Sequence, residues 1–224
     1  MQKNGIKNKI DELKILLNKE KIDIALISET KLKPTIILKI TNYFIYRSDN
    51  TLRPGTAANG GTAVIIHRRI VHRQVHQKTS LNSTSVEISL GSDSIQISAV
   101  YKRPQSPLAV SDLNLLTSSC DWFIIAGDLN AKHPSWNSNS VNPAGRVLYR
   151  HAQNSDYVVT APSSPTHFPN NPVHRPDILD VALHKLPLHL VEVFNLNELS
   201  SDHNPILLVI SDPPCDRRTA TYKS

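Results

Sequence analysis

Two short segments carry the residue types most suited to chemistry. Gly127-Asp128-Leu129-Asn130 follows an apolar run from Trp122 to Ala126, and Ser201-Asp202-His203-Asn204 precedes another from Pro205 to Ile210. Residues two apart in an extended segment point to one side, so Asp128 and Asn130 are expected to face a common site. An acid there can activate a water or assist a leaving oxygen. An amide can donate to a phosphate oxygen without adding negative charge. The competing reading of the same residues is an Asx turn that ends the strand. His203, beside an acid, suits proton transfer near neutral pH; the plainer reading is a cap on the strand that follows.

Two further acids complete the set. Glu29 stands just past the apolar run Ile22 to Ile27, and Asp180 lies inside Ile178 to Leu183. A charge in mid-strand is unfavourable without a partner, and His203 is the candidate partner for Asp180. Such a pair fixes the imidazole tautomer and stabilises its charged form. Glu29, Asp128, Asp180 and Asp202 all stand at or beside strand ends, where they can converge on one cation. Mg²⁺ favours hard oxygen donors, using one or two carboxylates together with waters and substrate phosphate. Taken singly, each acid is better explained as a cap or turn residue.

The remaining histidines show no ligand pattern. His72 and His76 have helical spacing in surroundings that read as strand, without a third ligand. Cys120 and Cys215 belong to no Cys-x-x-Cys pair, so zinc is set aside. Arg68 and Arg69 form a basic run with two readings, a solvated edge or a track for a phosphate backbone.

These residues need elements to position them. Ile6, Ile10, Leu13 and Leu17 mark one face of an amphipathic helix. Ala63 to Ile66, entered through Gly60-Gly61, reads as a buried strand. Ser85 to Leu90 and Ile95 to Tyr101 alternate around a Gly-Ser-Asp-Ser turn as a hairpin. Helices intermixed with hairpins argue for mixed sheets covered by helices rather than one parallel sheet. Pro- and Ser-rich stretches at 102–107, 134–143 and 161–176 read as long surface loops. One domain over residues 1–212 is expected, followed by a polar tail at 213–224.

Bulk composition narrows the class. The chain has 224 residues and a formal charge of +6, a balance that favours polyanionic partners such as nucleic acid. Neither a membrane-length apolar run nor a secretory signal is visible, so an intracellular protein is expected.

The motifs also resemble a known family in their order. Ile27-Ser28-Glu29-Thr30-Lys31, Ser98-Ala99-Val100-Tyr101, Ala126-Gly127-Asp128-Leu129-Asn130, Leu179-Asp180-Val181 and Ser201-Asp202-His203 resemble successive signatures of the endonuclease/exonuclease/phosphatase family. Within it, Asn130 to Asn137, Asn142 to Arg146 and Gly60-Gly61 are similar to the endonuclease domains of jockey-type non-LTR retrotransposons. The resemblance implies a four-layered α/β sandwich of two mixed β-sheets flanked by helices. It implies a nuclear enzyme that nicks double-stranded DNA with Mg²⁺, or Mn²⁺ in its place. Glu29 would bind the metal, with Asp202 as a second carboxylate. Asp128 would handle the attacking water or the leaving group, and Asn130 and Tyr101 would contact the scissile phosphate. His203, paired with Asp180, would act as general base or phosphate stabiliser. Lys132, His133 and Arg146, with Arg68 and Arg69, are the candidate DNA contacts.

One departure bears on activity. Members of the family begin with a central strand ending in Trp-Asn-x-x-Gly, whereas Met1-Gln2-Lys3-Asn4-Gly5 stands in that place here. The expectation is a fold lacking that first strand, without the reverse transcriptase normally fused to it. The alternative functions are a catalytically impaired DNA-binding relic and a cellular abasic-site endonuclease or phosphatase.

Overall fold

The computed structural model describes residues 6–50, 59–90, 93–171, 173–186 and 188–211. The expected tail at 213–224 and the stretch Met1 to Gly5 lie outside the described residues. Among the described residues the α-helices are α1 (Ile10–Lys19), α2 (Val110–Thr117) and α3 (Pro143–Gln153). The strands are β1 (Ile24–Ser28), β2 (Tyr43–Ser48), β3 (Thr62–His67), β4 (His72–Val75), β5 (Asn82–Leu90), β6 (Asp93–Tyr101), β7 (Trp122–Asp128), β8 (Val158–Thr160), β9 (Asp180–His184), β10 (Val191–Asn195) and β11 (Ile206–Ile210).

The apolar patterning sorts these elements into layers. A six-stranded sheet, ordered β4-β5-β6-β7-β9-β8, forms the centre. It is mixed, because β6 and β7 run parallel while the other pairs are antiparallel. One face carries Val100, Ile125, Val181 and Leu183, which pack with Leu113 and Leu116 of α2 and Leu148 of α3. The other face carries Val86, Ile88, Ile97, Ala99 and Ile124, which pack on Val64 and Ile66 of β3. β3 is therefore buried on both faces: Ile65, pointing the other way, meets Leu13 and Leu17 of α1. The order of layers is helix, sheet, sheet, helices, as the resemblance implies.

The layer under α1 differs from the expected single mixed sheet. It is divided into an antiparallel three-stranded sheet, β1-β3-β2, and a separate antiparallel pair, β10-β11. No helix among the described residues is long and apolar enough to cross a membrane.

Several local readings shift. Asp180 opens β9 rather than sitting in mid-strand, because Thr166 Oγ1 accepts both Leu179 N and Asp180 N and takes up the backbone there. The loop reading of 134–143 gives way at its end to α3. Asn142 caps that helix, its side chain accepting from Gly145 N at 2.8 Å, and Pro143 opens it.

Candidate active site

The central sheet assembles the site by register. Tyr101 of β6 lies opposite Asp128 of β7, which lies opposite Asp180 of β9. Three adjacent strands thus present one row of functional residues at the same sheet end. His203, entering from the loop before β11, completes the row: its Nδ1 is 2.7 Å from Asp180 Oδ2. At the opposite end of the row, the Tyr101 hydroxyl donates to Glu29 Oε1 at 3.1 Å.

The turn after β1 sets the position of Glu29. Glu29 and Lys31 both have left-handed backbones, with φ of 54° and 52°. Thr30 N and Lys31 N bond to the carbonyls of Gly61 and Gly60, so the turn is strapped to the entry of β3. Ser28 fastens it to the central sheet, donating to Val100 O at 2.7 Å and accepting from Asp128 N at 3.1 Å. Lys31 Nζ lies 3.2 Å from Glu29 Oε1 and supplies positive charge at the carboxylate.

Asp128 and Asn130 meet by a different route from the extended segment expected. The strand stops at Asp128, and Asn130 has φ of 45°. Asn130 N bonds to Asp128 Oδ1 at 2.8 Å, the Asx turn that was the competing reading. The turn nevertheless joins the two side chains. Asn130 Nδ2 donates to Asp128 Oδ2 at 3.1 Å and to Lys102 O at 2.8 Å. Both amide hydrogens are thereby engaged, and in this arrangement Asn130 orients Asp128 rather than offering an open donor.

Burial and crowded like charge set the protonation states. Burial, then the Asp180 charge, push Asp128 up to about 7, with Glu29 adding to the rise and the His203 charge and Asn130 N–H opposing it. Burial alone would lower His203, but the hydrogen bond and charge of Asp180, with Asp128 and Asp202, outweigh it and raise it to about 9. Burial and the charges of Glu29 and Asp128 keep the Tyr101 hydroxyl protonated, as its donation to Glu29 requires. The site therefore holds an imidazolium beside a carboxyl group poised near neutrality.

The same crowding bears on a metal. Among the described residues, no three His, Cys, Asp or Glu side chains are grouped closely enough to ligate one ion by themselves. Of the two carboxylates that the resemblance assigns to a metal, Glu29 is contacted by Tyr101 and Lys31, and Asp202 precedes His203 in the chain. The repulsion that raises Asp128 is what a nearby cation would relieve.

The expected DNA contacts divide into two groups. Lys132 is ion-paired with Asp177 at 2.8 Å, and Asp177 also accepts from Asn139 N and Ile178 N. The Lys132 hydrogen bond and those two N–H groups outweigh burial and hold the Asp177 carboxyl below its usual range. His133 stacks on Tyr149, with centroids 4.1 Å apart, and accepts from Ser135 N. Arg146 is exposed on the first turn of α3. These three lie on the loop and helix that follow Asn130. Arg68 and Arg69 do not join them. They follow His67, at the end of β3 remote from Thr62, which pairs with Ser28 beside Glu29. There Arg69 pairs with Asp23, and Arg68 sits 4.6 Å over the Phe44 ring.

Residues outside the expected set also build the site. His167 packs against His203, with ring centroids 4.6 Å apart, and Thr166 O receives Asn204 N at 2.7 Å. These contacts seat the His203 loop. Their only sequence signal is Thr166-His167 in a Pro-rich stretch, which read as surface. Asn142 ties α3 to the Asn130 turn: besides capping the helix, it accepts Lys132 N at 3.0 Å and donates to Asn130 O at 2.8 Å. Asn142→Ala is expected to lose about 2 kcal/mol by urea denaturation, since a cap and two further partners go together. Arg146→Ala, on the same turn, should stay within about 0.5 kcal/mol.

Comparison with known proteins gives this geometry a lineage. The model of a family described as "Endonuclease-reverse transcriptase" matches residues 95–207, half of the chain. A Drosophila melanogaster protein described as "Probable RNA-directed DNA polymerase from transposon BS" is 30% identical over 213 residues, which cover 92% of this chain and 23% of that protein. The RNA-directed DNA polymerase from mobile element jockey, also of Drosophila melanogaster, is 29% identical, covering 94% of this chain and 23% of the relative. The chain thus spans about a quarter of the length of the curated relatives it matches. Among solved structures, the endonuclease domain of TRAS1, a telomere-specific non-LTR retrotransposon, shares the fold with a TM-score of 0.72 at 19% identity, covering 91% of this chain and 93% of that one. The chain belongs to the endonuclease/exonuclease/phosphatase family, among the endonucleases of non-LTR retrotransposons.

Proposed function

We propose that the chain nicks double-stranded DNA by divalent-metal-dependent hydrolysis of a phosphodiester, the cut that opens a target site for reverse transcription in the nucleus. The observation that carries this reading is the register row Tyr101–Asp128–Asp180, closed by His203 at one end and Glu29 at the other. A phosphodiester needs charge stabilised on its equatorial oxygens, a water deprotonated and a leaving oxygen relieved of its charge. The chain's own residues serve the first two tasks, and a bound divalent ion would meet the charge on the leaving oxygen. His203, held as an imidazolium by Asp180, donates to a phosphate oxygen. Asp128, oriented by Asn130 and poised near neutrality, takes the proton of the attacking water. Tyr101 lies between them and Glu29, within reach of the same phosphate.

Glu29 and Asp202 would hold Mg²⁺, or Mn²⁺ in its place, and the ion would supply positive charge to the scissile phosphate. The +6 charge of the chain favours a polyanionic duplex, with Lys132, His133 and Arg146 on the flank nearest the site. The fused reverse transcriptase of the longer relatives is proposed to use the nicked end.

Supercoiled plasmid tests this directly. The chain with Mg²⁺ is expected to yield open circles, and neither EDTA nor His203→Ala should allow them. A folded chain that binds plasmid in a salt-sensitive manner and leaves it closed is the impaired relic instead. Cleavage confined to an abasic-site duplex would mark the cellular repair activity.

A further inference from the structure

Hydrogen bonding continues one residue past the strand that carries Tyr101. Lys102 N donates to Asp128 O at 2.9 Å, and Lys102 O accepts from Asn130 Nδ2 at 2.8 Å. With the backbone held in this way, residues 101 and 103 project to one side and Lys102 to the other. Lys102 is 2% exposed. Its Nζ donates to Arg103 O at 2.8 Å and to Ser106 O at 2.9 Å, so a buried ammonium pins the loop behind the strand. That anchor presents Arg103 on the side of Tyr101.

Arg103 is a half-buried cation without a counter-charge. Among the described arginines only Arg47 and Arg103 are half-buried, and the others are exposed. Arg47 pairs with Asp49 at 3.0 Å, whereas Arg103 pairs with no carboxylate among the described residues. Its Nη2 donates to Asn59 O at 3.2 Å. Its Nε is buried and meets no acceptor among the described residues. A guanidinium carries its N–H donors in a planar fork, and withdrawing them from water without partners is costly. The partner such a fork fits is an anion with two oxygens, a carboxylate or a phosphate.

The neighbours of Arg103 fix where that anion lies. Asn59 precedes Gly60, and a Cβ on Gly60 would meet Asn82 Oδ1 and the Tyr101 ring. Asn82 of β5 lies opposite Tyr101. The Asn59 carbonyl, and the Arg103 group bonded to it, therefore stand on the β5 side of Tyr101. Asp128, Asp180 and His203 stand on its other side. The Arg103 charge still reaches the Tyr101 hydroxyl, favouring its ionised form against Glu29 and Asp128. Paired strands are about 4.8 Å apart, which sets Arg103 roughly 5–10 Å from the strand of Asp128. That offset is too long for its fork to share a phosphate with His203, and it suits the next phosphate of a strand laid along the row.

We propose that Arg103 forms a second phosphate site, which takes the backbone phosphate adjacent to the scissile one on the Tyr101 side. The position of the scissile phosphate rests on the nuclease reading. A backbone phosphate offers two free oxygens, and the guanidinium fork binds both at once. Held there, the strand has its direction across Tyr101, Asp128 and His203 set by two fixed points instead of one. Arg103 is thus a positioning residue, and it touches none of the reacting atoms.

Binding without cleavage tests this. A labelled duplex is titrated by fluorescence anisotropy in EDTA over a range of salt concentrations. Arg103→Ala is expected to bind about tenfold more weakly and to reduce the slope of log K against log salt by about 1. Arg73→Ala, which removes an arginine paired with Glu87 on the edge strand β4, should change neither. If Arg103→Ala does not fold, Arg103→Gln, which keeps a donor for Asn59 O, is read in its place. The position is read with duplexes that carry one neutral methylphosphonate, moved in turn along the strand on either side of the plasmid nick. At one neighbour of the scissile linkage it should weaken the parent about tenfold and leave Arg103→Ala unaffected, as two halves of one contact do. An unchanged salt slope overturns the proposal. So does coupling to the scissile linkage itself, or additive losses at every position. The nuclease reading fails separately: a chain that shows the Arg103-dependent slope and leaves plasmid closed keeps the phosphate site and loses the cut.

Discussion

Asp128→Asn is expected to abolish plasmid nicking, by a factor of about 10³ or more, while raising the melting temperature of the metal-free protein above neutral pH. The two effects share a cause. Burial and the Asp180 charge lift the carboxyl from 3.8 to about 7, so its ionised form is held in the fold against its own preference. The proposed role of Asp128 needs that form, since a protonated acid cannot accept a proton from water. Between pH 4 and 7 the folded state keeps a proton that the unfolded state has released, and stability falls as pH rises through this window. The folded-state pKa is raised, so the stabilisation is complete below about 4 and gone above about 7. The amide variant has no such loss. Relief of the charge by itself should therefore contribute nothing at pH 4 and grow to on the order of 2 kcal/mol at pH 8, about 5 °C in Tm. The new amide also meets the Asn130 side-chain amide donor to donor, which costs about 1 kcal/mol at every pH. The growth of the difference with pH is therefore the diagnostic, more than its absolute value. Mg²⁺ should stabilise the parent at pH 8 more than the variant. A pH-independent difference between the two proteins would mean that Asp128 is not under charge strain.

Much of this site was legible before any coordinates, because its parts are strand ends. An apolar run stopping at an acid is a readable event, and Glu29, Asp128 and the Asp202–His203 pair were found that way. The partner of Asp180 was also legible, since a carboxylate beside an apolar strand demands one. Register was not legible. Nothing in the sequence of β6, β7 or β9 states that Tyr101, Asp128 and Asp180 fall opposite one another; that depends on how three strands distant in sequence align. The Asx turn at Asn130 shows a second limit. Turn and functional reading were set against each other, yet the turn is the means by which Asn130 reaches Asp128. Arg68 and Arg69 show a third. A basic run carries no information about which end of its strand faces the site, and β3 directs them away. Helices α2 and α3 were missed because they are short, 8 and 11 residues, although Asn142-Pro143 is a start signal.

Gly127→Ala is the substitution expected to damage the fold itself most. Gly127 has φ of 150° and lies inside β7, one residue before Asp128. A Cβ there would stand 2.0 Å from Val100 O and 2.4 Å from Ser28 Oγ. Serine could rotate away, but Val100 O belongs to the backbone of β6, which is paired with β5 on its other edge. Relief would require the central sheet to part between β6 and β7, the same junction that aligns Tyr101 with Asp128. Overpacking in a soft core costs roughly 1–3 kcal/mol; against a fixed backbone carbonyl the cost should be higher, about 4 kcal/mol or more. Native stabilities are themselves only about 5–15 kcal/mol, so most of the variant should be insoluble or unfolded. Ser28→Ala serves as the comparison. It removes the bonds to Val100 O and Asp128 N without inserting an atom, and should cost about 1–2 kcal/mol with the fold intact. The ordering distinguishes close approach from hydrogen bonding as the reason for glycine. If Gly127→Ala melts within a few degrees of the parent by circular dichroism, β6 can yield, and the register row does not depend on contact at that position.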